Sequence, residues 1–379
     1  MTVPAHSQIN GDGYYRVQNY ATGRYVSIIH NTSHTEYVTT QADLNALRTF
    51  KQWSKVESDP STIIYFKEVG SGTLNGKTYK TYDLYGQGTN TYSIINYHVG
   101  VIDVSGKYRC FVIYEGTQYL SEKSAPSTDD VNHLYIGNSA TYNWNVKPLS
   151  SSSDNYFGVK PTVTSGGKYY ATMYSDFGFK PAATSKDMKA YYVDRIWNGN
   201  VVVREIEGDV PAYTPVIFEC SSLNASDNKL DIAKNNAKLP SDNQLTGVFF
   251  CIDNGQSFHK DFVAYDPETM RVLGECSDGR IGFVQKTAAD FPSEYPLFIP
   301  KGAIPANTAY LKVPAGSPAE LPLMSYEEYT SGITGVEADK NTPSDVVSLS
   351  GVTVRKNAVS LDGLPSGVYI WNKKKIVID

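Results

Sequence analysis

Residues 13–27, GYYRVQNYATGRYVS, and residues 110–121, CFVIYEGTQYLS, follow one plan. In the first, Tyr15 and Val17 alternate with polar neighbours, a turn runs through Ala21, Thr22 and Gly23, and Tyr25 with Ser27 opens a return strand. The second repeats a strand, a glycine turn at Gly116 and then Tyr119, Leu120 and Ser121. A weaker copy stands between them in YDLYGQGTNTYSI, where Gly88, Tyr92 and Ser93 hold the corresponding places. Recurrence of one hairpin unit implies a fold with internal symmetry. Between the first two copies, Leu44, Leu47, Phe50, Trp53 and Val56 recur every three residues, which predicts an amphipathic helix over 41–57. The block closes with the aromatic strand YNWNVKPL, and SSSSDN (150–155) reads as a flexible polar joint.

From 157 to about 325 the chain reads as strand after strand: KYYATM, KAYYVDRIW, NVVVREIEG, PVIFEC, LTGVFFCID, HKDFVAYD, MRVLGEC, RIGFVQK and TAYLKVP. Asn198-Gly199 between two apolar runs is a strong hairpin signal, because a type I′ turn needs positive φ at both central residues. The expectation is an antiparallel β-sandwich over 157–331, with short helical turns over 231–239 and 325–332. After a polar linker (332–347), GVTVRKNAVSLDGLPSGVYIWNKKKIVID alternates Val352, Val354, Val359, Leu361, Val368, Ile370, Ile376 and Ile378 with polar residues. This predicts a small C-terminal β meander over 348–379, a size that is marginal alone. The whole is mainly β, in three parts.

Composition agrees and excludes several classes. With 379 residues there is room for two domains and a small third, and a net charge of −5 offers no global field for phosphate backbones, so nucleic acid is not an expected partner. No apolar run approaches the roughly 20 residues of a transmembrane helix, so no membrane span is expected. The 29 tyrosines suit pleated, half-buried surfaces. Cys110, Cys220, Cys251 and Cys276 form no CxxC pair, which argues against structural zinc; the first, second and third sit in strand-like runs as buried thiols, the alternative being one disulfide in the second domain. The opening MTVPAHSQINGDG lacks the charged and apolar regions of an export leader, leaving an internal protein or a signal already removed.

These motifs carry resemblances. Three hairpin copies and the closing YNWNVKPL strand resemble a ricin-type β-trefoil, over residues 12–149. The Gln-x-Trp signature of those lectins would place glutamine where Tyr142 stands, so no sugar-binding residue is carried over. GYYRVQNYATGRYVS, YYATMYSDFGFKP and IPANTAYLKVP resemble segments of exported multi-domain Bacteroidetes proteins, and LDGLPSGVYI resembles their C-terminal secretion-type β modules. The resemblance implies an exported, cell-surface or extracellular address.

Chemistry-bearing motifs are sparse. GSGTLNG (70–76) lacks dinucleotide spacing and a following helix, and reads as a hairpin turn. AGSPA (315–319) is no nucleophile elbow; His30 and His34 lie in strand and loop; His259 reads as a solvent-facing strand histidine; STDDVNH and SDNKLD offer at most a weak surface calcium site. Glu205, Glu207, Glu219 and Asp261 are the strand acids that a β-sandwich glycoside hydrolase would use, against a plain reading as solvent-facing positions. No catalytic, cofactor-binding or metal-ligating residue is assigned, and no cofactor is expected. Trp144 reads as core. Trp197 beside the Asn198-Gly199 tip is the candidate ligand-binding residue, the alternative being a cover folded over its strand. The expected function is non-catalytic binding of a glycan or a surface protein, glycan first. A structural or adhesive component and a glycoside hydrolase are the alternatives, and the oligomeric state is left open.

Overall fold

The computed structural model describes residues 9, 11–28, 48–51, 53–86, 97–113, 116–122, 134–136, 141–233, 242–248, 263–291, 302–331, 343–348, 351–371 and 374–378. The protein is mainly β. In the first part the strands are β1 (Gly13–Asn19), β2 (Tyr25–Ile28), β3 (Arg48–Lys51), β4 (Ile64–Leu74), β5 (Lys77–Gly86), β6 (Val99–Asp103), β7 (Tyr108–Ile113), β8 (Thr117–Glu122), β9 (Leu134–Ile136) and β10 (Asn143–Pro148). Antiparallel ladders run β1–β4–β5–β6–β7–β10 and return from β10 to β1, closing a six-stranded ring. The pairs β2–β3 and β8–β9 stand off that ring. Closure leaves no unpaired edge in the ring.

Alternation fills the ring. Tyr15 and Val17 of β1, Tyr82 and Leu84 of β5, and Tyr108 and Cys110 of β7 all point inward to one core, joined by Phe66, Val99, Val101, Trp144 and Val146. Trp144 is 1% exposed and donates its indole N–H to the Leu120 carbonyl at 2.9 Å, the core role its sequence suggests. The GSGTLNG stretch is the β4–β5 hairpin, turning at Asn75 (φ 49°) and Gly76 (φ 76°).

The helix predicted over 41–57 forms only in part at its described residues. Residues 48–51 are β3, with Phe50 opposite Val26, and only Trp53–Val56 make a helical turn. The every-third-residue spacing arose from a strand running into a helical turn, two geometries that a single period cannot distinguish. Leu44 and Leu47, His30 and His34, Gly88, Tyr92 and Ser93, and residues 127–133 lie outside the described residues.

The second part contains β11 (Phe157–Gly158), β12 (Val163–Ser165), β13 (Lys168–Met173), β14 (Gly178–Pro181), β15 (Lys189–Trp197), β16 (Asn200–Glu205), β17 (Val216–Cys220), β18 (Lys229–Ala233), β19 (Leu245–Gly247), β20 (Met270–Glu275), β21 (Ile281–Val284), β22 (Ala309–Lys312) and β23 (Glu320–Ser325). Ten of them form one sheet, in the order β12–β13–β17–β15–β16–β23–β21–β20–β22–β19. The two ends of this sheet face each other. Val193, Val201 and Ile217 from one half share a core with Leu245, Phe283 and Leu311 from the other, and Ala309 donates its backbone N–H to Thr172 Oγ1 at 3.1 Å. On the outer side of β13, β15 and β17, the small sheet β11–β18–β14 covers a second core around Phe177, Phe179 and Phe218. The expected purely antiparallel arrangement is corrected at one ladder: β16 and β23 pair in parallel, Val201 opposite Leu323. A parallel neighbour needs a long crossover, which the chain between these strands supplies. At 231–239, residues 231–233 belong to β18 and not to a helix. Tyr326–Ser331 is helical as expected, opened by a capping box in which Glu328 N–H donates to Ser325 Oγ and Ser325 N–H to Glu328 Oε2.

The 150–155 stretch is a correction as well. It is an ordered turn, with Ser150 N–H donating to the Asn155 carbonyl at 3.1 Å and Asn155 only 6% exposed. Beside it Arg16, fully buried, bridges the two parts. Its Nε donates to Thr62 Oγ1 (3.0 Å), Nη2 to the Val56 carbonyl (3.0 Å), and Nη1 to Asn155 Oδ1 (3.3 Å) and the Tyr156 carbonyl, while its guanidinium lies over the Trp53 ring. Tyr156 Oη donates to Glu57 Oε2 at 2.6 Å, and Ile63 enters the core of the second part. A buried cation and its acceptors from both parts hold the joint.

The C-terminal sheet is β24 (Ser344–Ser348), β25 (Thr353–Ala358), β26 (Gly367–Trp371) and β27 (Lys374–Ile378), in the order β25–β24–β26–β27. Its first strand lies inside the stretch read as linker, because Val346, buried among Ala358 and Tyr369, is the centre of its small core. Val352 (60%), Val354 (43%) and Ile370 (40%) remain exposed.

Candidate functional site

The surface around Trp197 is built by a defect in the β15–β16 ladder. Registration shifts between Val193 and Arg195, so that Val193 faces Val203 while Arg195 faces Val202. The extra residue, Asp194, is 3% exposed. Bulges re-aim side chains in this way, and here Arg195 is delivered to the outer surface. The strand then ends at Trp197, opposite Asn200, and the turn follows at Asn198 (φ 46°) and Gly199 (φ 73°), the paired left-handed conformations expected of Asn-Gly.

A second element completes the surface. β23 lies beside β16, and the helix Tyr326–Ser331 that follows it brings Tyr326 and Tyr329 against the hairpin. The Trp197 and Tyr329 rings meet edge to face at 5.3 Å, and Tyr326 lies 5.9 Å from Tyr329. Arg195 donates to Tyr329 Oη at 3.1 Å, and its guanidinium sits over the same ring; Arg204 lies 4.0 Å over Tyr326. Asp194 anchors both arginines, with Arg195 Nε at 2.6 Å and Arg204 Nη1 at 3.6 Å. The pairing holds the Arg195 guanidinium above its ordinary pKa, chiefly through the hydrogen bond to Asp194. A buried carboxylate thus fixes two half-exposed cations, and these fix two half-buried tyrosines beside Trp197.

Trp197 is itself half-buried, with the Tyr329 ring of the helix against it. From the sequence, Trp197 stood alone. Tyr326, Tyr329, Arg195 and Arg204 were missed, since the parallel β16–β23 pairing that unites them leaves no local signal. The amphipathic SYEEYTSG turn was the only trace.

Two of the strand acids flank β15: burial, and then the charges of Glu219 and Glu205, raise the Tyr191 phenol above its ordinary pKa. Glu205 Oε2 accepts from Lys189 Nζ and Glu219 Oε1 from Lys168 Nζ, both at 2.8 Å, and Glu207 is exposed in the loop after β16. Asp261 and His259 lie outside the described residues. Asp227, in SDNKLD, accepts from Ser222 Oγ and Asn224 Nδ2, which hold its carboxyl below the usual range. Cys110, Cys220 and Cys276 are free and buried. Among the described residues no group of three His, Cys, Asp or Glu side chains is placed to hold a metal ion, and no helix is long and apolar enough to cross a membrane.

No protein-family model, curated protein or solved structure matches the chain.

Proposed function

We propose that the protein is a non-catalytic, exported binding protein that recognises a glycan on the Trp197 surface. One observation carries the reading: Trp197, Tyr326 and Tyr329 are gathered at the surface and held in place by Arg195 and Arg204 on a buried Asp194. Rigid aromatic side chains offer flat apolar area at low entropy cost, and the guanidinium and phenol donors beside them suit the hydroxyls of a sugar. The pairing of Glu205 and Glu219 with lysines gives no support to a hydrolase.

The β-trefoil reading of the first part is supported by the six-stranded ring, the two hairpins standing off it, and the matching inward pairs on β1, β5 and β7. The sandwich reading of the second rests on the two halves of its large sheet sharing one core. An exported, surface address is proposed from the LDGLPSGVYI phrase and from a C-terminal sheet with a core of its own.

The test is a panel of neutral polysaccharides with Trp197→Ala. A stacking role predicts a loss of about 1–3 kcal/mol in binding with little change in melting temperature. A loss of a few kcal/mol in stability with binding unchanged would instead make Trp197 a cover and remove the site.

A further inference from the structure

A second surface lies on the outside of the first part, where β10 runs between β1 and β7. Trp144 and Val146 of β10 point into the ring, so Asn143 and Asn145 point out. By the same alternation Tyr108 and Cys110 point in, which turns Lys107 and Arg109 outward beside the asparagines. Tyr20, just after β1, is tied to β10 by its N–H donating to the Asn143 carbonyl at 2.9 Å, and it is 49% exposed. Lys107 Nζ lies 3.6 Å above the Tyr20 ring, and the Arg109 guanidinium lies 4.8 Å above Tyr142 while Nε donates to Asn143 Oδ1 at 3.3 Å.

The cations are therefore held by ring faces and an amide. Among the described residues neither Lys107 nor Arg109 has a carboxylate within ion-pair distance. Asp103, on the neighbouring strand, has its carboxylate turned to the Gly106 N–H. In a protein of net charge −5, two cations side by side on one surface, neither paired with a carboxylate among the described residues, are a local reversal of sign. Cation–π contact pre-positions each charge without neutralising it.

From this juxtaposition we infer that the outer surface where β10 pairs with β7, beside Tyr20, binds an anionic polysaccharide, with Lys107 and Arg109 taking its carboxylate or sulfate groups and Asn143, Asn145 and the tyrosine hydroxyls taking its sugar hydroxyls. These groups lie on the outside of a closed ring, whereas small ligands are usually held in concave pockets; a long chain gains from repeated shallow contacts on such a surface. Two cations in an acidic protein are too few to hold a nucleic-acid backbone, whose charges follow every ~1.7 Å. This site is separate from the Trp197 surface and does not depend on it.

The test titrates the full chain with polygalacturonate, dextran sulfate and neutral dextran, in parallel with Lys107→Gln, Arg109→Gln, the charge-preserving Lys107→Arg, and Trp197→Ala. The expected result is binding to one or both anionic polymers that weakens with added salt, falls by about tenfold or more in each Gln variant, and survives in Lys107→Arg and Trp197→Ala. Which anionic polymer binds distinguishes carboxylate from sulfate recognition. Thermal melts of the variants report folding, and a Gln variant that melts like the parent yet binds the anionic polymers equally well would overturn the inference. So would equal binding of neutral dextran, or anionic binding lost in Trp197→Ala alone. Failure on the anionic polymers with Trp197-dependent binding of a neutral glycan would remove this site and leave the proposed function standing.

Discussion

Replacing Arg16 by methionine tests whether the first two parts of the molecule are one thermodynamic unit. The substitution keeps much of the apolar stem and removes the guanidinium. Arg16 is 0% exposed, and burial lowers its pKa to about 10, so it remains charged at neutral pH. The Val56 carbonyl would keep the Asp59 N–H as a donor, whereas the Tyr156 carbonyl and Asn155 Oδ1 would lose Arg16 inside the joint. Leaving a buried acceptor unpaired costs about 1–3 kcal/mol, and the Tyr156 carbonyl and Asn155 Oδ1 are two such acceptors. The expected loss is thus about 2–6 kcal/mol, with the Trp53 ring also losing its cation. Arg16→Lys should recover only part of this, because an ammonium cannot reproduce the planar fork that reaches Thr62, Val56, Asn155 and Tyr156 together. The assay is urea unfolding followed by tryptophan fluorescence, in which Trp53 reports the joint. The parent should unfold the two parts in one transition and Arg16→Met in two. If Arg16→Met unfolds in one transition within about 1 kcal/mol of the parent, the joint is not held by this residue and the argument fails.

Three further outcomes are expected. Burial raises the Cys110 and Cys220 thiols to about 12 and Cys276 to about 11, so none of the three should react with a disulfide reagent in the native protein near neutral pH; all three should react after denaturation, as peptide mapping would read. Asp227, Asp266, Asp278 and Asp290 are held below the ordinary carboxylate range, mainly by Ser222, the Thr269 hydroxyl, the Arg280 side chain and the Thr287 N–H respectively. Their folded pKa values lie below the unfolded value of about 3.9, so the stability they contribute is present above that pH and is lost as pH falls through the folded values. Melting temperatures measured from pH ~5 downward should decline, modestly because all four groups are solvent-exposed, and a flat profile would contradict this. Ending the chain after residue 331 should leave the melting of the first two parts unchanged, because the C-terminal core of Val346, Ala358 and Tyr369 draws only on its own strands; a visible drop would mean that the exposed Val352, Val354 and Ile370 face rests on the larger body.

Much of the local structure was legible in the sequence because its causes are local. Asn198-Gly199 and Asn75-Gly76 specify their hairpins, since both central residues tolerate positive φ, and both turns adopt it. Period-two alternation placed Tyr15, Val17, Trp144 and Val146 in a core, because a strand's two faces meet different media. The 41–57 stretch failed in part for the complementary reason: Phe50 is held in β3 by its pairing with Val26, and strand partners are not written in a local period.

Tertiary structure decided everything that depends on distant segments meeting. Arg16 looks like an outward strand residue between Tyr15 and Val17, and it is buried only because Trp53–Thr62 and Asn155–Tyr156 close over it. Trp197 was visible as a tip residue, but its companions Tyr326 and Tyr329 arrive through a parallel pairing of strands far apart in sequence. Asp194 has no partner on β16 in the bulged ladder, and its carboxylate is enclosed where it holds Arg195 and Arg204. The sequence by itself determined the hairpin turns and the strands with a clear period of two, because φ/ψ preference and alternation act between neighbours. Which strands pair, which polar side chains are enclosed and which aromatic side chains share a surface were decided only by ring and sheet closure, since burial is a property of the whole chain.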